Sequence, residues 1–204
     1  MVVIPDYRLV PHAKFPEPAQ DVRDAMEWIV THPEHLVLGN GTEPDTDQLF
    51  VLGHSAGAVH TFTVLAYPEL YSPILHPRIK GALLFSGPYN CIPPEGEEQQ
   101  RLEVITLYWG SLQAASELDP AALAASLPTD KVPSLPNIVL LVAEREGKRF
   151  HQSADNLYKS LIDRKLDVKR IFAKGHNHIS ISWCLGTGQG EEWAEEVVEW
   201  INQF

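Results

Sequence analysis

The chain has 204 residues, 44% of them hydrophobic, enough for one sizeable core and too few for two, so a single domain over 1–204 is expected. Its formal net charge of −11, with basic residues scattered singly or in pairs such as Arg164 and Lys165, argues against nucleic acid or an anionic membrane as main partner. Two cysteines, Cys91 and Cys184, are too few for a disulfide framework, lack metal-ligand spacing and fit a reducing compartment.

MVVIPDY (1–7) has no basic leader and meets Asp6 early, so it does not read as a secretory signal, and a cytoplasmic location is expected. As a short apolar run it suits a buried parallel strand. FPEPAQDVRDAMEWIV (15–30) follows as a helix with Val22, Met26 and Ile29 on one face. The uncharged window from Gln48 to Pro68 has the length of a membrane span. Its two glycines, two histidines, serine and threonines instead make it a strand, QLFVLG (48–53), and a helix over Gly57–Leu65, with no membrane span. RIKGALLFSG (78–87) is a third strand.

Pro88–Lys131 then breaks the rhythm with Pro, Glu, Gln and an Ala-rich patch, and reads as a cap-like insertion (88–131) over one end of the sheet. Its apolar residues Leu102, Val104, Ile105, Leu107, Tyr108 and Trp109 suit either a substrate pocket or, for most of them, buried core. NIVLLVAE (137–144) is a fourth strand, HQSADNLYKSLIDRK (151–165) a helix, VKRIFA (168–173) a fifth strand and EEWAEEVVEWINQF (191–204) a closing amphipathic helix. Strands alternating with helices imply an α/β class with a mostly parallel sheet and helices on both faces.

GHSAGA (53–58) sits where the second strand turns into its helix. A GxSxG sequence in that context presents its serine, here Ser55, on a sharp turn at the C-terminal edge of the sheet. A serine hydroxyl is a poor nucleophile at neutral pH and needs a base oriented by a third group. The order on this type of fold is serine, acid, histidine. After the fourth strand, AEREGK carries Glu144 and Glu146. After the fifth, KGHNHIS carries His176 and His178. All lie on loops at the edge where Ser55 sits, and that convergence is the main argument for catalysis. His12, His32, His35, His76 and His151 read as surface loop residues.

The blocks DYRLVPHAKFPEPAQDV (6–22), GHSAGA, LVAEREG and GHNHIS together resemble the α/β-hydrolase fold-3 group, the hormone-sensitive-lipase-like carboxylesterases. The resemblance implies an acyl-serine mechanism on carboxylic esters or related amides, with a small-molecule ester as partner and neither metal nor organic cofactor. Ser55 matches the nucleophile and Glu146 the acid position, where the family usually has Asp followed by Pro. Glu144 is the fallback, with Asp155 behind it. The family's histidine is followed by an apolar residue, which selects His178 before Ile179 and leaves His176 as its fallback. The Ala56 N–H is the expected oxyanion donor.

In this family the other oxyanion donors come from an HGGG-type loop upstream of the DYRL strand, and this chain starts with that strand. An N-terminally truncated sheet is therefore expected, a fragment of an active esterase with a strand missing between DYRL and the serine strand. Neither GNG (39–41) nor GTGQG (186–190) has the right place to substitute, and both read as exposed turns. The alternative is a catalytically impaired or non-catalytic relative acting as a ligand- or protein-binding module.

Overall fold

The computed structural model describes residues 1–91 and 99–204. Four strands, β1 (Leu49–His54), β2 (Ile79–Phe85), β3 (Asn137–Ala143) and β4 (Val168–Ala173), form one parallel sheet in the order β1-β2-β3-β4. The helices are α1 (Glu17–Thr31), α2 (Ala56–Ala66), α3 (Gln99–Trp109), α4 (Leu112–Leu118), α5 (Pro120–Ser126), α6 (Lys148–Asp163), α7 (Ser180–Trp183) and α8 (Glu192–Ile201).

The sheet is buried on both faces, which is why its middle strands are apolar at nearly every position. Side chains alternate between the faces. Ala82, Leu84, Ile138, Leu140 and Val142 point into a core shared with Phe62 and Val64 of α2 and Leu157 and Leu161 of α6. Leu83, Phe85, Val139, Leu141 and Ala143 point the other way, against Trp193, Val197 and Trp200 of α8. On α1 the core-facing positions are Ala19, Val22, Met26 and Val30, an i, i+3, i+7, i+11 stripe that runs through Val30 rather than the expected Ile29.

The expected strand over 1–7 does not form: this segment has no regular structure, and Val2 and Ile4 are 85% and 88% exposed. A strand is defined by its ladder, and β1, the element it would have to approach, pairs only with β2 among the described residues. Tyr7, whose ring meets His60 edge-on, and Arg8, which forms an ion pair with Asp21 on α1, tie the segment to the fold. β1 is therefore the edge of the sheet, and its Leu52 side chain is exposed.

Of the 88–131 stretch, residues 92–98 lie outside the described residues; the rest forms α3, α4 and α5. Ile105 and Trp109 are buried with Val59, Cys91 and Ala115, whereas Val104 and Leu107 are exposed, so only part of this apolar set is core. His76 is not a surface residue: it is buried, its Nε2 donates to the Val64 carbonyl and its Nδ1 accepts from the Ser72 N–H. Among the described residues no helix is long and apolar enough to cross a membrane.

Strand β1 and helix α2 meet so closely that a Cβ on Gly53 would lie 2.3 Å from the carbonyl oxygen of Gly57, whereas a Cβ on Gly57 would meet nothing within 4 Å. Gly53→Ala should cost roughly 3 kcal/mol or more, the upper range for overpacking. Gly57→Ala should stay within about 1 kcal/mol of the parent. Urea denaturation of the two variants checks both.

His60 on α2 is buried beside Tyr7, with the Tyr108 hydroxyl 3.3 Å from its Nδ1. Burial pushes its pKa down to about 4, against the weaker opposing pull of the Asp21 carboxylate. The unfolded chain takes up this proton near an ordinary value of about 6.5, so stability from neutral His60 is complete above that pH. It is lost progressively as pH falls, until the folded protein also protonates near 4. Between those limits the parent should lose roughly 3 kcal/mol more than His60→Leu, read from denaturation midpoints across pH.

Candidate active site

The C-terminal ends of β1, β3 and β4 open onto the same edge of the sheet. β1 ends at His54, and the chain reverses into α2 through Ser55, which sits at φ 56°, ψ −121°. Positive φ in a residue with a side chain is a strained conformation that the surroundings must hold in place. Here the Ser55 N–H donates to the Phe85 carbonyl at the end of β2 (2.9 Å), so the turn is tied to the neighbouring strand. Ala56 opens α2 directly after it, and an N–H in the first turn has no acceptor within its own helix.

Ser55 Oγ lies 2.9 Å from His178 Nε2, and His178 Nδ1 lies 3.0 and 3.2 Å from the two carboxylate oxygens of Glu146. The Glu146 side chain is only 1% exposed, against 27% for His178. A carboxylate can only accept, so Nδ1 carries the ring proton and Nε2 presents its lone pair to the serine hydroxyl. Three side chains from three strand ends thus form one chain of hydrogen bonds.

The two loops that carry the acid and the histidine are laced together. The Glu144 N–H donates to the Ala173 carbonyl (3.0 Å) and the Arg145 N–H to the His176 carbonyl (2.8 Å). The Glu144 carboxylate accepts from the Gly175 N–H at 2.7 Å, so it fastens the histidine loop and is not what His178 bonds. Asp155 lies apart, paired with Arg170. His176 is buried: its Nε2 donates to the Gly190 carbonyl (2.7 Å) and its Nδ1 faces Ser180 Oγ at 3.2 Å. The GTGQG segment is therefore more than an exposed turn, because its last glycine anchors the loop on which His178 stands. Asn177 completes the loop, its side-chain oxygen accepting from the N–H groups of Ile179 and Ser180.

Two rings that no motif singles out also lie against His178. The His54 ring has its centroid 4.7 Å from that of His178, and the Phe150 ring is at 4.7 Å. Phe150 falls in the first turn of α6 because that helix starts at Lys148, three residues before the expected start. Among the described residues no group of three or more His, Cys, Asp and Glu side chains could hold a metal ion.

Residues 1–182 match the family model of the alpha/beta hydrolase fold. Kynurenine formamidase of Salmo salar is 25% identical over 161 residues, which is 79% of this chain and 49% of that protein. Among solved structures, esterase B of Lactobacillus rhamnosis superimposes with a TM-score of 0.74 at 15% identity, over 97% of this chain and 64% of that one. A hyperthermophilic esterase of the archaeon Pyrobaculum calidifontis gives 0.68 at 20% identity, over 97% and 64%, and a fungal esterase of Rhizomucor miehei 0.71 at 19%, over 97% and 61%. The chain thus spans about half the length of the curated relative and less than two thirds of each of these esterases. At these identities the structural likeness is one of fold, and with the match over 1–182 it places this chain in the alpha/beta hydrolase fold family.

Proposed function

We propose that the protein is an esterase-type serine hydrolase, with Ser55 as nucleophile, His178 as general base and Glu146 as the acid that orients it. The observation that carries this reading is the unbroken hydrogen-bond chain from Ser55 Oγ through both ring nitrogens of His178 to Glu146. In attack on an ester carbonyl, Ser55 Oγ bonds to the carbonyl carbon and its proton passes to His178 Nε2. The resulting imidazolium is stabilised by the desolvated Glu146 carboxylate. The negative oxygen of the tetrahedral intermediate is met by the Ala56 N–H, aided by the positive N-terminal end of α2. Collapse breaks the bond to the alcohol, which leaves with the proton from His178. A water then gives its proton to the same Nε2, attacks the acyl carbon and releases the acid, and Ser55 recovers its hydrogen.

Carboxylic esters of small alcohols or phenols are the favoured substrates, in keeping with the esterases that share the fold. The likeness to a kynurenine formamidase favours a second reading, hydrolysis of an N-formyl arylamine by the same steps with an amine as leaving group. Comparing turnover of a p-nitrophenyl ester with that of a formanilide distinguishes the two.

A fluorophosphonate probe should add one phosphonyl group to the chain, seen by intact mass, and the adduct should be absent from Ser55→Ala. A folded chain that takes no label would sink the hydrolase reading in favour of a ligand- or protein-binding role. Glu146→Gln should slow labelling and ester turnover by about a thousandfold or more, because the amide no longer stabilises the imidazolium. Glu144→Gln should cost far less, since the amide oxygen can still accept from the Gly175 N–H and only the charge assistance of that bond is lost, roughly 1 kcal/mol of local stability. Equal losses in the two variants would contradict the choice of Glu146.

A further inference from the structure

The hydrogen bonds to Ser55 and Glu146 hold the His178 ring at its two nitrogens, and Cβ tethers it to the chain. When one of those bonds is lost, rotation about the two side-chain torsions is limited by the other bond and by what packs against the ring. Neighbouring rings supply such packing. These are His54 and Phe150, each with its centroid 4.7 Å from that of His178 and tilted by 38° and 35°. These distances suit offset aromatic packing. The two rings come from different elements, the end of β1 and the first turn of α6. Each has its own anchor: His54 immediately precedes the strained Ser55 and its ring also bonds the His178 backbone, and Phe150 carries the Arg149 guanidinium over its ring at 4.8 Å.

We propose that His54 and Phe150 are positioning residues that hold the His178 imidazole in line, and that their hold matters most once Ser55 is acylated. This rests on the serine-hydrolase reading above. In the free protein Ser55 Oγ itself steadies Nε2. In the acyl-enzyme that oxygen is bonded to the acyl carbon and has no proton to share. Glu146 at Nδ1 and the two rings then keep Nε2 aimed at the incoming water. That water passes its proton to Nε2 as its oxygen bonds the acyl carbon. The acyl–Oγ bond breaks, and the proton returns to Oγ. His54 suits this place because it stays uncharged: burial first, and the charge of protonated His178 second, push its pKa below the ordinary histidine value. An uncharged ring does not repel the imidazolium that forms beside it.

The test is the division between acylation and deacylation with p-nitrophenyl acetate, followed by the p-nitrophenol burst and by intact mass of the acetylated chain. In His54→Ala and Phe150→Leu, deacylation should fall about tenfold, the scale of a modest misplacement. Acylation should change no more than about threefold in the same variants, so that acetyl-Ser55 accumulates. His54→Phe, which keeps a flat uncharged ring and gives up only the hydrogen bond to the His178 backbone, should stay within about twofold of the parent on both steps. Should one of these variants fail to fold, the other reports alone. An unchanged division in the folded variants, or a His54→Phe protein that behaves like His54→Ala, overturns the proposal while leaving the hydrolase reading intact. A parent chain that is never acetylated at Ser55 overturns both.

Discussion

The parallel ladder that ends at Phe85 and Ala143 fixes where the candidate site can be. β1 and β2 stop level, His54 opposite Phe85, and β3 and β4 stop level two residues further on, Ala143 opposite Ala173, with Phe85 opposite Leu141 between them. The three segments that leave those ends therefore start within a few residues of one another in space, and short side chains suffice to join them. Ser55 extends this register by one residue through its N–H bond to Phe85, at the cost of a positive φ. The strain is held because Gly53 lets α2 pack back on β1 without a side chain between them.

The acid and the histidine gain their precision differently. Neither loop is long, and both are tied by bonds that continue the β3–β4 pairing past the last strand residue: Glu144 to Ala173, then Arg145 to His176. Glu144 and His176, which resemble catalytic candidates in sequence, do this structural work, one by holding Gly175 and the other by holding Gly190. The nearby candidates thus occupy distinct roles because a carboxylate and an imidazole are useful anchors for backbone groups as well as reagents.

The alternation of strands and helices was legible because apolar runs such as GALLF and NIVLLV need both faces covered, which commits them to a parallel sheet. That the side chains of Ser55, Glu146 and His178 meet was legible because their motifs sit at strand ends. MVVI misled, since its composition is that of a strand while its ladder depends on a neighbour that composition does not reveal. His76 misled for a similar reason: a histidine in a Pro-containing loop looks exposed until the backbone groups it bonds are known. The flanking rings of His54 and Phe150 were out of reach, because a contact across β1, α6 and the histidine loop leaves no trace in spacing.

The lacing between the acid and histidine loops has a consequence for how the protein moves. Because Gly175, Arg145 and the Glu144 backbone each bond across the gap, neither loop can open without breaking the other's hydrogen bonds. An opening of either loop therefore involves both, so Glu146 and His178 shift together while Ser55 stays fastened to Phe85 of β2.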